Sequence, residues 1–175
     1  MKKKPPRDPI AAYERENRAA LRIGHGSRCS KCGEVRPLAL IPGSEPMICA
    51  NCQRVELGKS IFDNHHPAGA ANNPTTTPIP TNDHRAVLSP KQYEWPPETL
   101  KNPSGNPILA GAACMRGYSE TGDYLVASLV IPNAEMLESL EAFLKKRLGP
   151  NWWVGTEMER FAPKRKRKPK RKSGT

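Results

Sequence analysis

Three of the chain's four histidines fall within residues 61–88, at His65, His66 and His84, together with Asp63, the amides Asn72 and Asn73, and several prolines that fix the backbone around them. This is the composition of a site rather than of an apolar core. An imidazole with an ordinary pKa of ~6.5 is largely neutral at physiological pH, so it can take a proton from water or ligate a metal. Phosphodiester hydrolysis needs such a base, a divalent ion at the scissile phosphate, and a rigid frame for both. Adjacent histidines on a strand point to opposite faces. Only one of His65 and His66 therefore faces a shared ion, unless the strand bends at the pair as Pro67 and Gly69 would allow.

A second chemistry lies upstream. Cys29-Ser-Lys-Cys32-Gly-Glu is followed by Cys49-Ala-Asn-Cys52, with sixteen residues between the inner cysteines. Two such turns let four thiolates converge on one ion, which predicts a tetrahedral zinc site at Cys29, Cys32, Cys49 and Cys52. Four thiolates close the coordination shell, so the expected role is structural. Segments 35–41 and 47–48 are expected to pair as a short hairpin carrying the second turn, as in a zinc ribbon or treble clef. Cys114, the fifth cysteine, reads as a small buried residue.

Positioning these groups requires a frame. The sequence predicts a helix from Asp8-Pro9 to about Ile23, with Asp8 as its cap and Gly24-His25-Gly26 ending it; His25 reads as a solvated loop residue. Residues 59–63 predict a strand that delivers His65 and His66, and 75–79 a returning strand. Asn82 is expected to cap a helix that opens Asp83-His84-Arg85. The proline-rich stretch 89–107 predicts an irregular linker, and 108–118 and 123–131 predict helices, with a strand left open for the latter. Asn133 is expected to cap a helix ending at Gly149-Pro150. The stripe of that helix, from Met136 and Leu137 to Leu148, is expected to pack on the preceding helices, with Trp152 and Trp153 closing the bundle.

Charge and hydropathy narrow the class. Of the formal +11, residues 164–172 supply +8 and the rest of the 175-residue chain +3. Lys164, Arg165, Lys166, Arg167, Lys168, Lys170, Arg171 and Lys172 form a run that repels itself and binds polyanions by releasing their counterions. No apolar run reaches the ~20 residues of a membrane-spanning helix, and the first residues lack the apolar segment of a secretory signal. The expectation is a soluble cytoplasmic protein without a membrane partner, associated with a nucleoid or nucleus according to its host.

The residues Asp63-Asn-His65-His66-Pro-Ala-Gly69-Ala-Ala-Asn72-Asn-Pro74, followed by Asn82-Asp-His84, resemble the His-His…Asn…Asn-x-His signature of HNH endonucleases. The resemblance covers about residues 28–90, including the zinc knuckle Cys29–Cys32. It implies an α+β, zinc-stabilised ββα-metal domain with a treble-clef-like knuckle, followed by a small helical C-terminal region. It also implies roles: His66 as general base, His65 and His84 as ligands of one catalytic divalent metal (magnesium, manganese, nickel or zinc), Asn72 as the residue that steadies the loop or orients the base, and Asp63 as a weaker metal candidate. Related sequences often carry a second Cys-x-x-Cys directly before the last histidine. Here those positions read Pro80-Thr-Asn-Asp83, and the pair Cys49 and Cys52 lies on the N-terminal side instead.

The domain organisation expected from these features is a basic arm and helix at 1–27, the zinc-knuckle domain at 28–90, a linker at 91–107, a helical region at 108–155 and a polybasic tail at 156–175. The expected function is metal-dependent hydrolysis of double-stranded DNA with low sequence specificity. The alternative is a non-catalytic zinc-ribbon nucleic-acid-binding protein with a degenerate nuclease fold.

Overall fold

A computed structural model describes residues 9–163, with side chains from Tyr13 onward. The expected cap Asp8, the N-terminal arm and the basic run Lys164 to Lys172 lie outside the described residues. The described residues mix helices with one two-stranded sheet, and the chain divides into two compact units, Met1–Val126 and Ala127–Thr175.

In the first unit, α1 (Pro9–Ile23) precedes the cysteine turns, a 3-10 turn at Pro37–Ala39, and α2 (Ala50–Glu56). Strands β1 (Phe62–His65) and β2 (Thr77–Pro80) follow, then α3 (Thr81–Asp83), a π turn at His84–Leu88, α4 (Ser89–Tyr93), α5 (Pro97–Lys101) and α6 (Pro107–Leu125). β1 and β2 pair antiparallel with Asp63 opposite Ile79 and His65 opposite Thr77. Pro78 and Pro80 lie opposite Asn64 and Phe62, at pairs where no N–H has to cross between the strands. The alternation buries Ile79 fully and turns Pro78 outward.

Among the described residues, the buried apolar side chains form three small clusters. Leu40 and Ile48 pack with Cys29 and Cys49; Ala68, Trp95 and Ala113 pack together; and Ile79, Leu88 and Tyr124 form the third, behind the sheet and the helix that follows it.

Several expectations are corrected. The hairpin expected between 35–41 and 47–48 shrinks to a single bridge, Leu40 opposite Cys49, because Pro37, Pro42 and Pro46 remove donors a ladder would need. Asn82 does not cap: the helix begins at Thr81 with Pro80 in the cap position, and the buried Asn82 side chain is spent elsewhere. The proline-rich stretch 89–107 is not irregular throughout. Proline at the first helical positions of α4 and α5 costs no hydrogen bond, so both short helices form. The helix expected at 108–118 extends from Pro107 to Leu125, followed by a π turn at Val126–Val130.

In the second unit, α7 (Ile131–Leu148) has Val130 at its cap position, so Asn133 does not cap it; Asn133 Nδ2 instead donates to Leu129 O at 2.8 Å. Wider π-turn spacing ahead of Pro132 accommodates a residue that has no N–H to give. A 3-10 turn at Glu157–Phe161 follows. Met136, Leu137, Leu140, Phe143 and Leu148 are exposed. Trp152 is half-buried and donates to Glu141 Oε2 at 2.6 Å.

Candidate functional site

The four cysteines meet as their spacing requires. One ligand atom from each of Cys29, Cys32, Cys49 and Cys52 lies within 4.8 Å of the others, and none is in a disulfide. Gly33, at φ +78°, closes the first turn, and its N–H donates to Cys29 O at 2.9 Å. Cys49 caps α2, its Sγ accepting from Cys52 N at 3.4 Å. Burial raises the Cys29 thiol, but backbone N–H groups of Cys32, Lys31 and Cys49 outweigh it and bring it down to about 6. Burial and the neighbouring thiols push Cys52 up instead. Four sulfurs this close cannot all ionise without a cation among them, which fits a zinc centre.

This cluster is tied directly to the stretch before His84. Asn51, between Cys49 and Cys52, and Asn82 exchange two hydrogen bonds: Asn51 N–H to Asn82 Oδ1 at 2.9 Å, and Asn82 N–H to Asn51 Oδ1 at 3.0 Å. Asn82 Nδ2 also donates to Glu34 Oε2 at 3.2 Å. Arg36 Nη2 bridges Glu34 at 2.6 Å and Asp83 at 2.7 Å, and Tyr124 OH donates to Asp83 Oδ2 at 2.6 Å. The Arg36 side chain, followed by its backbone and charge, holds the Glu34 carboxyl down at about 2. The helix start that presents His84 is therefore fastened to the first knuckle through Glu34 and to the second through Asn51.

His84 meets β1 across the sheet. Its Nδ1 lies 3.0 Å from Asp63 Oδ2, and Asp63 Oδ1 pairs with Arg54 Nη2. Arg54 Nη1 also donates to Ser60 O at 3.1 Å and Phe62 O at 3.2 Å, so α2 orients the acid that orients the histidine. Burial would raise the Asp63 carboxyl, but the His84 hydrogen bond and the Arg54 charge outweigh it and keep it below the usual range. The His65 ring stands edge-on to His84, centroids 5.1 Å apart. His65 is 1 % exposed, and its Nδ1 is buried without a hydrogen-bond partner. Burial, then the His84 and His66 charges, hold His65 down at about 4, so it is neutral near pH 7.

His66 lies just past the end of β1 and is half-buried, its Nδ1 also buried without a partner. Its backbone is fixed from behind: Gln92 Nε2 donates to His66 O at 2.7 Å and to Pro67 O at 2.9 Å. Gly117 of α6 presses on the same turn, where a Cβ would stand 1.7 Å from Pro67 O. Asn72 Nδ2 donates to Ala68 O at 3.0 Å, Thr99 O at 2.9 Å and Leu100 O at 3.2 Å, which ties the loop between the strands to α5.

The structure thus brings Asp63, His65 and His84 together and holds the His66 turn and the Asn72 loop rigidly. Among the described residues, no group of three or more His, Cys, Asp or Glu ligand atoms converges apart from the four cysteines. His65 and His84 could offer two ring nitrogens to an ion whose remaining ligands would be oxygens from water or phosphate. His25 is exposed, and Cys114 is half-buried with Asn73 Nδ2 3.8 Å from its sulfur.

Arg54, Asn51, Gln92 and Gly117 had no place in the sequence reading. Asn51 carried the one available signal, an amide inside the second knuckle; Gln92 lay in a stretch that read as linker. Among the described residues no helix is long and apolar enough to cross a membrane. No protein-family model matches the chain, and no curated protein or solved structure matches it.

Proposed function

We propose that this chain is a zinc-stabilised, metal-dependent endonuclease of the HNH type with a ββα-metal site. The observation that carries the reading is the orientation of His84. With its Nδ1 on Asp63 Oδ2 at 3.0 Å, its Nε2 is the ring nitrogen left for an ion, and a carboxylate behind a ligating histidine fixes the ring and raises its basicity. His65, neutral and 5.1 Å away ring to ring, supplies the second nitrogen. A divalent ion held there would neutralise charge on the scissile phosphate and on the leaving oxygen.

The protein's own groups do the rest. His66 takes the proton of the attacking water, held in place by Gln92 behind its carbonyl. Asn72 keeps the loop between the strands from moving relative to α5. The bond broken is the one between phosphorus and the 3′ oxygen, leaving a 5′-phosphate and a 3′-hydroxyl. Lys164 to Lys172 contact phosphates, which positions a duplex without choosing its sequence.

The competing reading, non-catalytic nucleic-acid binding by a degenerate fold, is favoured by one observation: among the described residues, His65 and His84 gather no third protein ligand. Supercoiled plasmid with magnesium, manganese or nickel separates the two. The endonuclease reading expects nicked or linear DNA from the wild type. It also expects residues 1–163 alone to bind DNA more weakly and with less salt dependence while still cutting at low salt. Intact plasmid with every metal would leave the binding reading.

A further inference from the structure

The first unit carries a basic hollow that neither the histidines nor the cysteines use. It has a volume of about 310 Å³ and lies between α1, the 3-10 turn at Pro37–Ala39 and the π turn that leads into α4. Leu38 and Leu40 give it an apolar lining, and its polar side chains are Arg22, Arg85, Ser89 and Tyr93. Among the described residues no acid lines it, and neither Arg22 nor Arg85 is in an ion pair. Arg22 uses its Nε on Arg18 O at 3.3 Å, which leaves both terminal nitrogens to donate. The walls are fastened to each other: Arg15 Nη2 donates to Pro90 O and pairs with Glu94 Oε1, both at 3.5 Å.

Two guanidinium groups in one hollow repel each other until an anion lies between them, and an apolar lining strengthens their pull on it. The planar fork of an arginine matches the anionic oxygens of a phosphate, and the hydroxyls of Ser89 and Tyr93 add donors. The basic ground does not end at one anion. A second hollow, of about 560 Å³, is lined by Arg15, Arg18, Leu21, Arg22 and Leu38, so Arg22 and Leu38 belong to both. Arg15, Arg18 and Arg22 fall on one side of α1 at i, i+3, i+7 spacing, and among the described residues no acid lines this hollow either. Arg18 meets Glu14 at 3.7 Å, an exposed pair of the kind that holds its partners weakly. Seven residues of helix rise ~10.5 Å, which is more than one phosphate fills.

We propose that Arg85, Arg22 and Arg18 form a track for successive phosphates of a nucleic-acid backbone, built into the first unit and separate from the basic run at Lys164 to Lys172. It rests on the nucleic-acid partner that both readings above share, and not on cleavage. A chain that fails to cut plasmid leaves it standing, and failure of the track leaves the histidine site as it was.

The test uses the full zinc-loaded chain and a labelled DNA duplex with no divalent metal added, so that nothing is cut while binding is measured across a range of salt. Each phosphate contact contributes about 0.9 to the slope of log affinity against log salt, so Arg22→Gln with Arg85→Gln should lower that slope by about 1.8. Lys101→Gln, which changes an exposed base of the same unit that lines neither hollow, should leave it unchanged. In the wild type, duplex at ~10⁻⁵ M should shift the side-chain Nε–H resonances of Arg18, Arg22 and Arg85, whereas inorganic phosphate at that concentration should not. The resonances are read on unsubstituted protein, so they remain informative if the double variant fails to fold. An unchanged slope in a folded double variant, a fall of about 0.9 with Lys101→Gln, resonances unmoved by duplex, or resonances that move as readily with inorganic phosphate would each overturn the proposal.

Discussion

Asn51 and Asn82 hold each other by two hydrogen bonds, at 2.9 and 3.0 Å, each side-chain oxygen accepting from the other residue's backbone N–H. One of them sits between two cysteines of the four-thiol cluster and the other two positions before His84. The pair links the two ends of the first unit's polar frame: the cysteine cluster fixes Asn51, Asn51 fixes Asn82, and Asn82 precedes the turn that sets His84 against Asp63.

Asn82→Ala removes one acceptor and strands the Asn51 N–H. A buried donor left unpaired costs about 1–3 kcal/mol, and the bond to Glu34 is lost with it. Urea unfolding of the zinc-loaded protein should show a loss of roughly 2–3 kcal/mol. The His84 imidazole resonances should shift even in the fraction that remains folded. Unchanged stability and unchanged His84 resonances would mean the pair transmits nothing.

Metal analysis should find about one tightly bound zinc per chain. Cys32→Ser with Cys52→Ser should abolish that binding and unfold the first unit, since Cys29 and Cys49 belong to its apolar cluster with Leu40 and Ile48. A variant that keeps the wild-type circular dichroism and melting curve without zinc would contradict the structural role.

Gly117→Ala should destabilise the first unit by about 1–3 kcal/mol, the usual range for overpacking, because the new methyl would meet the Pro67 carbonyl at 1.7 Å. The turn displaced is the one that carries His66. Thermal melts would check the stability, and a Gly117→Ala protein as stable as wild type would place α6 farther from that turn than found here.

Stability should also fall as pH drops below neutrality, with no divalent metal added. Unfolded histidine titrates near ~6.5, whereas buried His65 is held down at about 4. Between those values the unfolded chain binds the extra proton, so the contribution of neutral His65 is complete above ~6.5 and is lost on the way down. Denaturation at pH 7.5 and at pH 5 should show a steeper loss for wild type than for His65→Gln, by a margin of order 1–2 kcal/mol. Parallel slopes would mean that His65 is not desolvated.

The cysteine spacing was legible because a Cys-x-x-Cys turn is local, and its four thiols converge in the structure. The strand, loop, strand order around His65 and His66 was readable from its prolines and its period. The reading failed where a side chain works at long range. Asn82 has the residue type of a cap, yet its partners, Glu34 and Asn51, lie 48 and 31 positions away. Gln92 looked like linker because only the folded chain brings it under His66 and Pro67.

The most direct test of the hydrolytic assignment takes manganese binding and plasmid nicking from one zinc-loaded preparation of His66→Ala. Loss of a general base typically costs about 10²–10⁴-fold in rate, whereas His65, His84 and Asp63 are untouched. The account predicts wild-type manganese affinity with nicking reduced at least ~10²-fold. Nicking at the wild-type rate would contradict it.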